Sequence, residues 1–385
     1  MNDERTEISD DILIVDDTPD NLRLLSQILT EQGYRVRAVT SGSRALASVQ
    51  ASLPDLILLD IRMSGMDGYE VCERLKTDAR AKDIPIIFIS ALNEIQDKVK
   101  AFTVGGVDYV TKPFQYEEVL ARVETHLALR KLQKQLQNAN EKMEQELALA
   151  GEVQASFLPS KIPDIPGWQM SVSLISARET SGDFFDAIPL PDGRVGLLIA
   201  DVVDKGVGAA LFMALSSTLL RTYAMEYPTQ PEFVFNAVNE RILQDTNAKQ
   251  FVTVFYGILD PATGTLVYGN AGHCPPFLVN VHKADGAQAL TRTGVPLGIF
   301  EDRKWEQQVI QTSPGDVLVL YTDGISEAQN ADDAFYGSDR LLDSIQTKLG
   351  GTAKEIKETI IKDVYGFIEN KTLIDDIGLI VAIRE

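Results

Sequence analysis

Aspartates that follow short apolar runs form two groups along this chain of 385 residues. The first group is Asp16, Asp17 and Asp60, and the second is Asp183, Asp201, Asp323 and the pair Asp375 and Asp376. Carboxylates gathered in one place repel one another, and such a group is unfavourable unless a bound cation or a covalent reaction offsets the repulsion. Two such groups, in two differently patterned segments, predict two metal-dependent phosphate chemistries in one protein.

The first group lies in a segment where apolar runs alternate with amphipathic stretches. This alternation predicts an α/β fold, a doubly wound five-stranded parallel sheet with helices on both faces. The predicted strands are 12–15, 35–39, 56–59, 85–89 and 107–110, and the predicted helices are 20–32, 43–51, 67–77 and 93–104. The carboxyl ends of such strands form the crevice in which ligands bind.

Five polar side chains stand at the ends of these strands: Asp16, Asp17, Asp60, Ser90 and Lys112. Any one of them alone would be an ordinary solvated loop residue, but five at consecutive strand ends favour a site. Asp17 with Asp60 can hold Mg²⁺, and Asp60 can attack a phosphoryl donor as a carboxylate nucleophile. Lys112 supplies positive charge for the resulting acyl phosphate, and Ser90 supplies a hydroxyl donor.

Residues 11–114 resemble the receiver domain of chemotaxis-type response regulators. The motifs ILIVDD, LILLDIRMSGMDG, FISA and DYVTKPF stand in the order of that family. The resemblance implies that Asp60 is phosphorylated by a sensor histidine kinase and that Lys112–Pro113 is a cis peptide.

The same resemblance implies roles for further positions. Asp16 and Asp17 would be the acidic metal pair that holds Mg²⁺, and the backbone carbonyl of Arg62 would be the third protein ligand beside Asp60. Ser90 and Lys112 would belong to the switch together with Tyr109, the switch aromatic. From the sequence pattern alone, a residue such as Tyr109 is more often a packing residue at a strand end.

Residues 115–160 are predicted to form one long helix, because no Pro or Gly occurs between Gln115 and Gly151. Apolar residues recur in it at alternating three- and four-residue steps: Leu132, Leu136, Ala139, Met143, Ala150, Val153 and Phe157. This heptad spacing, interrupted at Glu146, predicts a weak parallel coiled coil and therefore a homodimer. The alternative is a single amphipathic helix that lies on its own domain, but the polar composition of residues 130–149 favours the coiled coil.

Patterning changes after the prolines that end this helix. Strand-like runs occur in antiparallel pairs at 169–175, 184–190, 194–200, 252–259, 264–269, 305–311, 316–321 and 377–383. Helical stretches fall at 207–225, 231–245, 338–348 and 352–369. Grouped strands and helices predict an α+β domain, a two-sheet sandwich flanked by helices. The predicted organisation is a disordered tail at 1–10, a receiver domain at 11–130, a coiled-coil linker helix at 131–160 and a second domain, which carries the second group of acids, at 161–385.

The acids of the second group again mark strand ends. Asp183 lies in SGDFFD, Asp201 ends VGLLIAD, Asp323 follows VLVLYT, and Asp375 and Asp376 precede IGLIVAI. Four acids suit two Mg²⁺ or Mn²⁺ ions with one acid bridging, and two such ions can activate a water against a phosphate ester. Zn²⁺ is less suited, because the chain has only three histidines.

Residues 152–385 resemble the metal-dependent (PPM-type) serine/threonine phosphatases of bacteria, in the SpoIIE/RsbU-like branch. The matching runs are EVQASFLPSKIPDIPGW, SARETSGDFFD, IADVVDKGVGAALFMALSSTLLR, NAGHCPPFL, GVPLGIF, LYTDGISEAQN and DDIGLIV. The resemblance implies that Asp183 holds one metal, that Asp201 bridges both and that the Val202 carbonyl completes one shell. Asp323 with Asp375 would hold the other metal, and Asp376 is the competing choice.

This chain departs from that family at a few positions. Val203 and Asp204 stand where a small residue and Gly are usual, which adds a carboxylate and stiffens the loop. Gly378 stands where Thr or Ser is usual. Arg178 is explained equally well as a contact to substrate phosphate and as a structural ion-pair partner. His273 is more typical of a turn-stabilising histidine than of a catalytic one.

Composition excludes several other classes of function. The formal charge of −20, from 36 basic and 56 acidic residues, disfavours nucleic acid and anionic membranes as partners. Cys72 and Cys274 lie far apart, which disfavours a disulfide framework. We expect no apolar stretch long enough to span a membrane, and residues 1–10 do not resemble a signal peptide, so a cytoplasmic location is expected.

Together these features predict a two-component response regulator with protein phosphatase output. The resemblance implies a phosphoserine or phosphothreonine substrate on a STAS-type anti-sigma-factor antagonist. One alternative function is that of a catalytically inactive scaffold, which binds a phosphoprotein without hydrolysing it. Another is a nucleotide cyclase, since SGDFFD is superficially similar to the GGDEF signature, although the aspartate eighteen residues after Asp183 fits a phosphatase better.

Overall fold

The structure is a computed structural model that describes residues 10–90, 95–246, 250–280, 286–369 and 371–385. The predicted tail at 1–10 lies outside the described residues except for Asp10, and so does the start of the helix predicted at 93–104. The chain divides into two compact units, Met1–Lys142 and Met143–Glu385. The boundary between the units falls inside the segment predicted as a linker.

The first unit contains a five-stranded sheet. Its strands are β1 (Asp11–Val15), β2 (Arg35–Val39), β3 (Leu56–Asp60), β4 (Ile86–Ser90) and β5 (Asp108–Thr111). Every pairing is parallel, and the strand order is β2–β1–β3–β4–β5. The connecting helices are α1 (Pro19–Glu31), α2 (Gly42–Ala51), α3 (Gly68–Thr77) and α4 (Ile95–Thr103). The predicted doubly wound fold is confirmed.

Helices cover both faces of this sheet, so the central strands β3 and β4 are apolar up to their last residues, Asp60 and Ser90. β3 and β4 are buried at every position. One core lies on the face under α2 and α3, where Val49, Val71 and Leu75 are buried, and another lies on the face under α1. Burial on both faces requires continuous apolar runs rather than alternating ones, which is why the runs in the sequence marked strands so clearly.

Helix α5 (Tyr116–Ala155) is 40 residues long and continues from the first unit into the second. Its first turns pack on the receiver sheet through Val119, Val123 and Leu127. Farther along, Leu132 and Leu136 are 62% and 64% exposed in the single chain. The predicted seam is therefore uncovered within one chain, and the coiled-coil dimer stays a prediction.

The second unit contains two five-stranded antiparallel sheets. The first sheet has the order β13 (Gln308–Gln311), β10 (Thr265–Ala271), β9 (Val252–Asp260), β8 (Val195–Val202), β7 (Asp183–Pro189). The second sheet has the order β12 (Ala287–Ala289), β11 (Phe277–Val279), β14 (Val317–Tyr321), β15 (Ile377–Arg384), β6 (Trp168–Ile175). Strands β11 and β12 were not predicted, because runs of three residues are too short to show a period of two.

The helices of the second unit form the outer layers of the sandwich. They are α6 (Val207–Glu226), α7 (Pro231–Asp245), α8 (Asp323–Ser326), α9 (Gly337–Thr347) and α10 (Ala353–Ile368). Between the sheets lies one core, which includes Leu197, Phe255 and Ile380. Helices α6 and α7 pack on the outer face of the first sheet, while α9 and α10 pack on the outer face of the second. The predicted sandwich flanked by helices is confirmed.

Helix α6 corrects one expectation from the sequence. By length and composition it is apolar enough to cross a membrane, whereas we expected no stretch of that kind. Phe212, Met213 and Leu220 of α6 are buried in the core beneath the first sheet. The apolar composition is explained by this packing, since a helix that covers a sheet needs a wide apolar face.

Candidate metal centres

The first centre lies at the carboxyl end of the parallel sheet. One carboxylate oxygen from each of Asp16, Asp17 and Asp60 lies within 4.8 Å of the others, and Asp16 and Asp60 are buried. Lys112 Nζ donates to Asp16 Oδ2 and to Asp60 Oδ2, at 2.8 Å in both cases. Three gathered carboxylates and one lysine form an acidic pocket typical of Mg²⁺.

Burial and neighbouring charges shift the pKa values of both Asp60 and Lys112. Burial raises the pKa of Asp60, and the hydrogen bond from Lys112 opposes that shift. For Lys112, burial alone would lower the pKa, but the hydrogen bonds to Asp16 and Asp60 raise it above the ordinary value. Lys112 is therefore charged at neutral pH and lies where an acyl phosphate on Asp60 would need a cation.

Other parts of the pocket agree with the predicted geometry. Lys112–Pro113 is cis. Arg62 N lies 3.4 Å from Asp60 Oδ1, which places the Arg62 backbone beside the predicted acceptor. Ser90, the last residue of β4, is buried. Ser64 donates to Asp17 Oδ2 through its backbone N–H at 3.0 Å, a contact that was not predicted from the sequence.

Tyr109 contacts the neighbouring helices rather than the acidic pocket itself. Its ring packs edge-on against Phe102 with centroids 6.1 Å apart, and Lys98 Nζ lies 4.5 Å from its centroid. Arg122 approaches the same ring at 5.6 Å. A switch role for Tyr109 stays a prediction.

The second centre lies at one edge of the sandwich, and strand pairing explains why its acids meet. Asp183 begins β7 and stands directly opposite Asp201 near the end of β8. Asp323 follows β14, and Asp375 precedes its antiparallel neighbour β15, so these two reach the same edge from the second sheet. The predicted ligands of both sheets therefore come together in the fold.

Burial and mutual repulsion raise the pKa values of the acids at this edge. Burial and the charge of Asp201 raise the pKa of Asp183 well above its ordinary value. Burial, followed by the charges of Asp323 and Asp375, raises the pKa of Asp201 to about 7. Burial and Asp375 raise the pKa of Asp323 to about 6. Carboxylates that are buried together despite their mutual repulsion are typical of a site for divalent cations.

Two further observations test whether metal ions fit here. Asp183 Oδ2 is buried and has no hydrogen-bond partner, so it is an acceptor that a cation would satisfy. Among the residues that the structure describes, no three acids of this edge approach one another as closely as the receiver trio. The fit of a cation at this edge therefore rests on the free Asp183 Oδ2.

The predicted backbone ligand Val202 lies in a cradle of oxygens. A Cβ atom added at Gly182 would lie 2.9 Å from the Val202 carbonyl oxygen, 3.5 Å from the Asp204 carbonyl oxygen and 3.6 Å from Asp201 Oδ1. These oxygens converge above a glycine that leaves the space open. Asp204 adopts φ of 76°, the left-handed region that favours glycine, which explains why glycine is usual at its position.

Asp375 and Asp376 have different surroundings. Asp376 is buried, and its two oxygens accept hydrogen bonds from the backbone N–H groups of Ala177 at 2.7 Å and Gly182 at 2.8 Å. Asp375 is partly exposed, and its Oδ1 lies 2.8 Å from Lys205 Nζ. The carboxylate of Asp376 is thus engaged in holding the loop at 176–182, which leaves Asp375 as the better candidate ligand.

His273 ties the two sheets together behind this edge. Its Nε2–H donates to the Tyr321 carbonyl oxygen at 3.1 Å, so its Nδ1 accepts from the Thr253 hydroxyl at 2.8 Å. Burial lowers the pKa of His273 to about 4, and the ring is therefore neutral at physiological pH. With both nitrogens engaged, His273 has a structural role in this geometry.

Arg178 and Gly378 were also singled out in the sequence, and the structure gives each of them different surroundings. Arg178 is exposed and forms no ion pair with any residue in the described ranges, which favours the phosphate contact over the structural one. Gly378 N–H donates to the Thr322 hydroxyl at 2.7 Å, and a Cβ at Gly378 would lie 2.9 Å from Thr322 Cγ2. A glycine at 378 therefore makes room for the threonine that follows β14.

Two polar contacts of this edge were not predicted from the sequence. Lys205 pairs with Asp375, and Gln154 of α5 pairs with Ser181, the residue two positions before Asp183. Lys205 stands beside Asp204 in a run already noted as unusual, and Gln154 stands inside the motif EVQASFLPSKIPDIPGW. Neither position could be assigned a partner from spacing alone.

Comparisons with known proteins match a family model to each of the two units. A family described as Stage II sporulation protein E (SpoIIE) matches residues 191–385, and one described as the response regulator receiver domain matches residues 12–124. Protein IcfG of Synechocystis sp. is 32% identical over 268 residues, which cover 62% of this chain and 41% of IcfG. The phosphoserine phosphatase RsbU of Bacillus subtilis is 27% identical over 257 residues, which cover 65% of this chain and 73% of RsbU.

Solved structures show the same fold for the second unit. The RsbU and RsbW domains of Rv1364c from Mycobacterium tuberculosis superpose with a TM-score of 0.51 at 26% identity, covering 60% of this chain and 63% of that one. The SiaA-PP2C domain of Pseudomonas aeruginosa gives a TM-score of 0.57 at 17% identity, covering 64% of this chain and 98% of that one. Since this chain spans less than half of IcfG, the likeness of the two chains is confined to part of that relative.

Proposed function

The chain belongs to the SpoIIE family and carries a response-regulator receiver domain, and we propose that it is a two-component regulator whose output is metal-dependent serine/threonine protein phosphatase activity. The observation that carries the proposal is the sandwich edge where Asp183 faces Asp201 across paired strands with an unpartnered buried oxygen. An acidic edge of this kind, beside an exposed arginine, has the donors that phosphoester hydrolysis needs.

On the input side, the residues of the receiver pocket have complementary tasks. Asp16 and Asp17 together with Asp60 would hold Mg²⁺, which supplies charge neutralisation for the incoming phosphoryl group. An Asp60 carboxylate oxygen attacks phosphorus, and the bond from phosphorus to the donor's leaving group breaks. Lys112 is already within hydrogen-bond reach of Asp60 and stabilises the new charge. The proposed donor is a sensor histidine kinase.

On the output side, Asp183, Asp201, Asp323 and Asp375 would hold two Mg²⁺ or Mn²⁺ ions. Bound there, the ions supply an activated water and stabilise the oxygen that leaves the phosphate ester. The exposed Arg178 orients the substrate phosphate by bidentate hydrogen bonds. Asp376 keeps the loop that presents Arg178 in place through two backbone N–H groups.

The proposed substrate is a phosphoserine or phosphothreonine protein. The similarity to a phosphoserine phosphatase supports serine phosphate as the group that is hydrolysed. The finer proposal is a STAS-type anti-sigma-factor antagonist, the substrate class that the resemblance implied. A cytoplasmic location and a homodimer paired along α5 belong to the same proposal, and the exposed seam leucines support the pairing.

A direct test measures Mn²⁺-dependent hydrolysis of p-nitrophenyl phosphate and of a phosphoserine peptide by the full chain. We expect turnover that Asp201→Ala abolishes and that a matched change at the exposed Asp302, Asp302→Ala, leaves intact. Full turnover in Asp201→Ala would overturn the two-metal assignment. A wild-type chain that binds phosphoprotein without hydrolysing it would instead support the scaffold, and formation of cyclic dinucleotide from GTP would support the cyclase.

A further inference from the structure

The loop that follows β12 carries an exposed arginine, Arg292, against the end of β10. The next two residues, Thr293 and Gly294, donate their backbone N–H groups to the Asn270 carbonyl oxygen at 2.9 and 3.2 Å. The side chain of Arg292 turns to the same segment, where its Nε–H donates to the His273 carbonyl oxygen at 3.2 Å. The loop and the arginine side chain are therefore both fixed to the end of β10.

The segment that anchors Arg292 belongs to the edge that gathers the acids. β10 pairs with β9, and Thr253 of β9 stands directly opposite Asp201 of β8. The His273 ring accepts from the Thr253 hydroxyl and donates to the last carbonyl oxygen of β14, two residues before Asp323. The residue whose carbonyl binds Arg292 is thus held, through its own side chain, beside two of the predicted metal ligands.

The charges that act on Cys274, the residue after His273, agree with this placement. Burial raises the pKa of the Cys274 thiol to about 12, and the charges of Asp323 and Asp201 raise it as well. The charge of Arg292 acts on the same thiol in the opposite direction. Cys274 therefore lies near both the arginine and the acids, so a molecule bound at the acids lies near Arg292.

The guanidinium of Arg292 has one anchored nitrogen and two free ones. Neither Nη atom makes a hydrogen bond or an ion pair with a residue in the described ranges, although the chain has 56 acidic residues against 36 basic ones. Two parallel N–H groups on the Nη atoms match the two oxygens of a carboxylate. Because the Nε anchor already orders the side chain, less conformational entropy is lost when an acid binds. Arg292 is thus arranged to receive an acid from another molecule.

We propose that Arg292 is a specificity-determining residue that binds an acidic side chain close to the phosphorylated residue of the substrate protein. The proposal rests on the proposed function and specifies its substrate class. An extended peptide advances about 3.3 Å per residue, so residues a few positions from a phosphoserine held at the acids pass the loop of Arg292. A carboxylate there gains a charge-assisted contact, whereas a neutral side chain does not.

The test measures kcat and KM of the full chain in Mn²⁺ with short phosphoserine peptides. The reference peptide has only alanine and glutamine around the phosphoserine, and each other peptide carries one glutamate in place of one flanking residue, at each position in turn. We expect glutamate at one or two neighbouring positions to lower KM by about fivefold and to change kcat little. Arg292→Gln should bring the two KM values together, and Arg292→Lys should keep part of the difference because it keeps the charge.

Arg241→Gln is the matched control, because Arg241 is exposed on α7 and pairs with Asp245 of its own helix. This variant should keep the full preference for glutamate. High salt should reduce the preference in the wild type, because exposed charges are screened. The salt series is done on the wild type alone, so it tests the proposal even if Arg292→Gln does not fold.

Three results would overturn the proposal while the proposed function stands. They are a wild type that hydrolyses all the peptides with equal KM, a preference for glutamate that salt does not reduce, and a preference that persists in Arg292→Gln. A loss of kcat in Arg292→Gln that is equal for all peptides, with the KM difference retained, would show that the arginine only holds its loop. A wild type that hydrolyses none of the phosphoserine peptides would overturn the proposed function itself.

Discussion

Lys205 Nζ lies 2.8 Å from Asp375 Oδ1, so a lysine just before α6 is paired with a carboxylate of the phosphatase site. The same ammonium group donates to the Ile374 carbonyl oxygen at 2.6 Å. Lys205 thereby joins the segment after β8 to the segment before β15. A positive charge beside a predicted metal ligand competes with the cation for that ligand.

Replacing Lys205 by methionine should therefore tighten Mn²⁺ binding. We expect Lys205→Met to raise the affinity of the second site by about threefold, since an exposed ion pair is worth about 0.2–1 kcal/mol. Isothermal titration with Mn²⁺ measures the change. Lys354→Met is the matched control, because Lys354 pairs with Glu358 one turn along the exposed face of α10. Weaker binding in Lys205→Met would mean that Lys205 orients Asp375 instead of competing for it.

Substitutions at Asp375 and Asp376 are expected to have opposite effects on activity and on stability. Asp376→Asn turns an amide NH₂ toward one of two backbone N–H groups, and leaving that donor unpaired should lower the free energy of unfolding by about 1–3 kcal/mol. Asp375→Asn should leave the unfolding free energy within about 1 kcal/mol but remove Mn²⁺-dependent hydrolysis. Urea unfolding in EDTA and steady-state kinetics measure the two effects. The reverse pattern would make Asp376 the ligand.

The stability of the metal-free second domain should fall as pH rises. The pKa of Asp201 is raised to about 7 and that of Asp323 to about 6, whereas in the unfolded chain an aspartate titrates near 4. Between these values the folded state binds more protons than the unfolded state, so stability is lost as pH rises from about 4 to about 7.

Thermal melts in EDTA between pH 5 and pH 8 measure this loss. Excess Mn²⁺ should abolish the decline, because bound cations replace protons on the carboxylates. Asp201→Asn should make the decline shallower, since it removes one of the titrating groups. A melting temperature that rises over this interval in EDTA would show that repulsion among these acids does not govern the domain.

The parallel sheet and its site were predictable because position in the sequence determines position in space there. A residue after a buried parallel strand must reach the carboxyl edge, so Asp16, Asp60 and Lys112 could be grouped from the order of the strands alone. The antiparallel sandwich was predictable in its layers. Its shortest strands, β11 and β12, lack enough residues to show a pattern.

Partners of the second site were harder to predict because they depend on which backbone groups face which side chains. Asp376 is buried against the N–H groups of Ala177 and Gly182, whereas Asp375 is partly exposed, and two adjacent aspartates cannot be told apart by residue type. Gln154 lies one turn from Ala150 and Phe157 of the heptad stripe, but a polar residue at that place adds nothing to an apolar pattern. Contacts that join distant segments by one or two hydrogen bonds leave no periodic pattern in the sequence.

Phosphorylation of Asp60 is expected to control the hydrolysis of phosphoserine at the edge that carries Asp201. The most direct measurement is the rate at which the full chain dephosphorylates a phosphoserine protein in Mn²⁺, with and without acetyl phosphate, in the wild type and in Asp60→Asn. We expect the phosphodonor to change the wild-type rate by about fivefold or more and to leave the rate of Asp60→Asn unchanged. Equal wild-type rates with and without the phosphodonor, once phosphorylation of Asp60 has been verified, would contradict this control.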